Sequence, residues 1–185
     1  MPKNPKRLYF TESDEANELN AQDPMALIVG FVLDQQVTVQ KAFAGPLEIK
    51  QRVGSLDAEV LASTDLDPVF REKPAIHRYP GNMAKRVQDV AAHIRDEYDG
   101  DAAKIWTTAK TSDELREHLM ALPGFGEMKV KSVSAVLSKQ YGVKLADDLV
   151  PWHPTLGDVD SLDALAEYQA AKKQHKKQWS KAQMK

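Results

Sequence analysis

The sequence predicts an all-α fold, and three observations carry that expectation. Apolar residues recur at helical spacing along most of the chain. Helix-starting residues and helix-stopping glycines bracket those stretches. No segment shows the apolar–polar alternation of a half-buried strand.

Taken in order, "TESDEANELN" offers Thr11 or Ser13 as an N-cap, with acids in the first turn. "DPMALIVGFVLDQQ" places Pro24 at a helix start behind Asp23 and is apolar on most faces, which marks a central buried helix. "TVQKAFAGPLEIKQRVG" continues as a helix that is expected to break or bend near Gly45-Pro46 and to stop at Gly54. "LDAEVLAST" and "DLDPVFREK" read as short helices. "GNMAKRVQDVAAHIRDEYDG" carries Met83, Val87, Val90, Ala91 and Ile94 on one face and ends at Gly100. "TSDELREHLMA" opens on a Thr111/Ser112 cap and leads into "LPGFG". After Gly142, residues 143–160 hold two prolines and no clear period, and read as a structured loop. A last helix, roughly 161–182, starts amphipathic and ends lysine-rich.

A chain of 185 residues with 42% hydrophobic content supports one compact domain, 1–185, built as two interleaved lobes with the Lys-rich helix at 161–185. There is no cysteine, which excludes disulfides, thiolate metal sites, a cysteine nucleophile and a cysteine-held iron–sulfur cluster. The N-terminal basic residues have no apolar run behind them, and the longest such run (25–33) is too short to span a bilayer. The expectation is a soluble, cytoplasmic, monomeric protein with no membrane partner. The net charge of −2 argues mildly against a polyanion as partner. The charge is uneven, however: residues 171–185 carry six lysines and no carboxylate.

The segment "ALPGFGEMKVKSVSAVLSK" (121–139) stands out. Gly124 and Gly126 let the backbone expose N–H groups that a Cβ would shield. The next helix starts at once, and its first N–H groups lack internal partners. With a charge of about +0.5 at the helix N-terminus, those donors form an anion site whose usual guest is phosphate. Lys129 and Lys131 stand one turn in. Glu127 would repel a phosphate unless it points away, and an ordinary tight αα-corner is the alternative reading.

L-P-G-F-G between two helices resembles the hairpin of the helix-hairpin-helix (HhH-GPD) DNA glycosylases of base-excision repair. Two further segments, in order, strengthen the likeness. "ALIVGFVLDQQVT" (26–38) resembles the family's buried helix and its glutamine-containing turn, which places Gln35 and Gln36 near the duplex and the base pocket. "YPGNMAKRVQDVAAHI" (79–94) resembles a further family helix, with Lys85 and Arg86 in place. The likeness covers about residues 20 to 150.

The resemblance implies a two-lobed helical HhH-GPD fold that binds duplex DNA containing a damaged or modified base and flips that base into a pocket. By the same resemblance, DNA contacts fall to Leu122, Gly124, Phe125, Gly126, Met128, Lys129, Lys131, Gln35 and Gln36. An aspartate would then stabilise the cationic sugar as the base leaves. A carboxylate ~4 Å away at an effective dielectric of ~20 contributes about 4 kcal/mol, roughly a thousandfold in rate. The family's "V-D-T-H" is absent; Asp148 or Asp158 is the candidate, with Asp148 favoured on spacing. The lysine that bifunctional relatives use is Met128 here, which implies a monofunctional glycosylase without strand cleavage. The hairpin carbonyls of Met120, Leu122 and Phe125 would hold a monovalent cation, Na+ or K+; no other cofactor is required. The implied location is cytoplasmic, at the nucleoid. Trp152 and Tyr141 are candidates for stacking on a base, with packing the better expectation. Two alternatives stay open: a non-catalytic DNA-binding repair protein, and a helical protein-interaction domain.

Overall fold

The computed structural model describes residues 4–183, with side chains described up to residue 175. Among the described residues the chain is helical throughout, with no strand. The first helix, α1 (Asp14–Gln22), is capped by Ser13, whose Oγ accepts the Ala16 N–H. Thr11 serves differently: its hydroxyl and its N–H both donate to the Asn17 side chain, folding the entering strand of chain onto α1. The next helix, α2 (Pro24–Leu33), has Asp23 as its cap, Pro at its first turn and an almost wholly buried surface. It is the axis of the core. At ~1.5–3 kcal/mol for each large apolar side chain removed from water, α2 anchors the fold more than any surface pairing does.

Packed on α2 is α3 (Val39–Val53), which ends at left-handed Gly54. The expected break at Gly45-Pro46 does not occur: the helix runs through Pro46. Pro46 supplies no N–H to the preceding turn, and the Asn20 side chain donates to the Phe43 carbonyl there at 2.8 Å. A Cβ on Gly45 would overlap Leu33 Cδ1 at 2.3 Å, so the glycine lets α3 lie close against α2. The short helices α4 (Ala58–Ser63) and α5 (Asp67–Arg71), both expected from the sequence, lean on α6 (Pro80–Tyr98).

A one-turn helix not foreseen from sequence, α7 (Lys104–Thr107), precedes α8 (Ser112–Met120). The hairpin follows, then α9 (Glu127–Tyr141), which stops at left-handed Gly142. The aperiodic segment after it holds two 3-10 turns, Lys144–Leu149 and Leu156–Asp158, packed on α9. Their three-residue repeat explains why no 3.6-residue pattern could be read there. The last helix, α10 (Leu162–Gln183), follows the expected span. Most of the lysine cluster at 171–185 has side chains outside the described residues.

One continuous apolar core runs from Leu8 to Leu165. Tyr141 closes it: the ring is buried and its hydroxyl donates to the Asn20 and Ala21 carbonyls, joining α9 to α1. Tyr141 is therefore a core residue and has no face to offer a base. Trp152, by contrast, is 70% exposed. Among the described residues no helix is long and apolar enough to cross a membrane, and no cluster of His, Asp or Glu could hold a metal ion.

Candidate functional site

The hairpin glycines play two different parts. Gly124 has φ +80°, a conformation that favours glycine, and a Cβ there would lie 2.8 Å from Arg86 Cδ and Nε. The arginine of α6 thus lies across the hairpin, and its guanidinium donates to Gln35 Oε1 at 3.0 Å. Gly126 is the N-cap of α9 in ordinary extended backbone, with open space where its Cβ would stand and no side-chain cap on the helix. The first amides of a four-turn helix therefore meet solvent without a capping side chain. Glu127 forms an ion pair with Arg116 of α8, which turns its carboxylate toward α8.

Three segments distant in sequence, 35–36, 79–89 and 121–129, meet here. Gln35, Gln36, Tyr79, Asn82, Lys85 and Arg86 are among the walls of an open groove of about 520 Å³. Gln36 sits in the left-handed region (φ 59°) with an exposed side chain. Such a conformation costs a non-glycine residue about 1 kcal/mol or more, and neighbouring contacts must hold it. His77 provides them. Its ring is buried, Nδ1 accepts the Tyr79 N–H at 2.9 Å, and so Nε2 carries the hydrogen. That N–H faces the carbonyls of Leu33 (3.0 Å) and Gln35 (3.1 Å). Burial holds the imidazole below its usual pKa, so it stays neutral in this role.

The remaining predicted residues divide. Met128 is exposed at the first turn of α9, whereas Leu122 and Phe125 are buried and anchor the hairpin to the core. The Leu122 carbonyl accepts the Phe125 N–H at 3.0 Å, so one of the three oxygens expected to bind a cation already closes the turn. Lys131 is half-buried on α9. Lys129 turns inward: Nζ reaches the Val32 carbonyl at 3.4 Å and lies 5.3 Å from the Phe125 ring centre. Burial pushes its pKa down to about 8, with Asp34 opposing the shift.

The two aspartates do not join the groove. Asp148 accepts from Ser112 Oγ at the start of α8 (3.0 Å). Asp158 belongs to a capping box with Thr155 and pairs with Lys139 Nζ at 2.6 Å. Its carboxyl is held below the usual range by those contacts, against the opposing effect of burial.

Asp89 is also a wall of the groove and pairs with Lys85 Nζ at 3.1 Å. A further acid, which sequence reading passed over, immediately precedes the groove residue Gln35. Asp34 ends α2, half-buried, with Lys129 of α9 and Lys172 of α10 within electrostatic reach. Desolvation pushes its carboxyl above the usual range, and the two lysines partly offset this. Burial pushes the Tyr168 phenol up as well, with Asp34 adding to the shift. One signal was available in sequence: a carboxylate at a helix C-terminus opposes the helix dipole, so it needs a compensating cation from elsewhere.

Comparison with models of known protein families and with curated proteins returns no match.

Proposed function

We propose that the protein binds duplex DNA through the hairpin and removes a damaged or modified base from it, as a monofunctional DNA glycosylase of base-excision repair with an HhH-GPD-like arrangement. The observation that carries this reading is the contact of the hairpin's Gly124, just ahead of the uncapped α9 N-terminus, with Arg86, which shares one groove with Gln35 and Gln36. Open amides at a helix start grip a phosphate without regard to sequence. Arg86 and Lys85 add positive charge beside it, and the glutamines present amides to base edges or to an orphaned partner base. Glu127, at the first turn of α9, is engaged by Arg116, and Asp89 on the groove wall is engaged by Lys85. A Na+ or K+ ion would find hard oxygen donors on the hairpin carbonyls and would add charge to the clamp; no chemical step depends on it.

Exposed Met128 stands where bifunctional relatives of the resembled family carry an amine, so no covalent sugar adduct is expected at that position. The test is base release from a panel of alkylated, oxidised and deaminated duplexes, beside duplex affinity measured across a salt series. Release from at least one member with salt-dependent binding supports the proposal. A borohydride-trapped adduct would overturn the monofunctional part. The local engagement of Asp148 and Asp158 favours a second reading, a DNA-binding protein without chemistry. Binding without release from any duplex would establish it, and salt-independent or absent binding would turn the reading toward a protein partner.

A further inference from the structure

Asp34 accepts no hydrogen bond from any described residue, yet it is half-buried and fixed. Its position is set from both sides: the His77 N–H bonds the carbonyls of Leu33 and Gln35, the residues flanking it. Structural aspartates in this chain look different. Asp23, Asp57 and Asp158 cap helices, and Asp67, Asp89 and Asp96 pair with exposed cations. Asp34 does neither, and it sits at the wrong end of its helix for capping. With two lysines in electrostatic reach but no hydrogen-bond donor on it among the described residues, this partly dehydrated carboxylate keeps its oxygens for a positive charge that arrives from outside.

The groups facing it are Lys129 from α9, and Lys172 and Tyr168 from α10. Lys129 links the acid to the hairpin. Its stem starts in the first turn of α9, behind the open amides, and its Nζ ends on the carbonyl of Val32, two residues before Asp34. Gln35, the next residue along, binds Arg86 over Gly124. Whatever seats on the hairpin is thereby held in register with the last turn of α2.

Resting on the base-removal reading above, we propose that Asp34, and not Asp148 or Asp158, is the catalytic carboxylate of this protein, with Lys129 as its positioning residue. The bond between the sugar C1′ and the base nitrogen breaks, and its electron pair leaves with the base. Asp34 stabilises the cationic sugar that remains. Water adds to C1′, its proton passes to Asp34 and then to solvent, and the departing base takes a proton from solvent, so the net reaction is hydrolysis. Burial raises the pKa of the Asp34 carboxyl, and Lys172 and then Lys129 oppose that rise, favouring the ionised form.

The experiment compares wild type, Asp34→Asn, Asp148→Asn, Asp158→Asn and Lys129→Met in base release from the same duplex panel, with duplex affinity and thermal melting measured on each. Asp34→Asn is expected to lose roughly a thousandfold in kcat with affinity held, while the other two aspartate variants stay within a few-fold of wild type. Lys129→Met is expected to move the acid limb of the pH–rate profile upward, because the lost ammonium no longer favours ionised Asp34; Lys129→Arg restores it. If Asp34→Asn does not fold, the Lys129→Met profile decides. Retained release in Asp34→Asn, loss in Asp148→Asn or Asp158→Asn, an unmoved acid limb, or a borohydride adduct on Lys129 overturns the assignment while leaving base removal standing. Wild type that binds duplex but releases no base overturns both.

Discussion

Replacing each hairpin glycine by alanine should separate folding from recognition. In Gly124→Ala the new methyl would lie 2.8 Å from Arg86 Cδ and Nε at a backbone φ of +80°. The arginine is flexible and can swing aside, so overlap alone costs little. What remains is the left-handed backbone, about 1–2 kcal/mol for a residue with a Cβ. In a chain of this size each kcal/mol moves Tm by about 2–4 °C, so a fall of about 2–8 °C is expected. The displaced Arg86 also loses its bond to Gln35, which loosens the groove wall. Gly126→Ala is the contrast. Its φ of −112° and ψ of −177° suit alanine, and nothing lies within 4 Å of the added carbon. Stability should stay within ~0.5 kcal/mol. The methyl would, however, stand at the mouth of the amide site, where losing a charge-assisted hydrogen bond costs ~1.5–3 kcal/mol, about 10- to 100-fold in affinity. Thermal melting and fluorescence anisotropy with a labelled duplex at fixed salt read the two effects. A Gly126→Ala protein that binds duplex as wild type does would refute the phosphate-clamp reasoning, whatever its Tm.

Arg116→Ala releases Glu127 toward the α9 N-terminus and should weaken duplex binding about two- to fivefold at low salt, with the difference shrinking as salt rises; adding Glu127→Gln should restore it. His77→Phe strands the carbonyls of Leu33 and Gln35 and the Tyr79 N–H, a loss of about 2–4 kcal/mol in urea unfolding. The same histidine sets a pH dependence. Its folded-state pKa lies below the unfolded value of 6.5, so the unfolded chain binds the proton first. Stability should therefore be complete above that pH and decline as pH falls below it, with a slope that His77→Phe removes. Gly157→Ala sets a Cβ 2.4 Å from the Ala135 carbonyl oxygen, a backbone atom of α9 that cannot turn aside, and should cost about 1–3 kcal/mol by the same measurement.

Legibility in the sequence followed the range of the interaction. Caps and stops are local, and Ser13, Asp23, Gly54, Thr111 and Gly142 can be read from their neighbours. The unbroken α3 could not be, because the donor that serves the turn beside Pro46 is Asn20, on another helix. The hairpin was visible as a motif, but the arginine lying over Gly124 comes from α6. The aspartates singled out by spacing proved to be engaged locally, by Ser112 and by Lys139 and Thr155. Asp34 went unnoticed because residues 30–38 show only an acid that opposes its helix dipole, while the lysines that answer it come from α9 and α10.

The two amides of Gln40 and Gln169 donate to one another at 2.7 and 3.0 Å across 129 positions of chain. They fasten α10 beside the start of α3, and Tyr168, the neighbour of Gln169, is thereby held within electrostatic reach of Asp34. The acid's surroundings are thus finished only when α10, made long after α2, swings back onto the body. Until that moment Asp34 stays hydrated, and a chain cut short before α10 would carry every groove residue yet leave its acid in water.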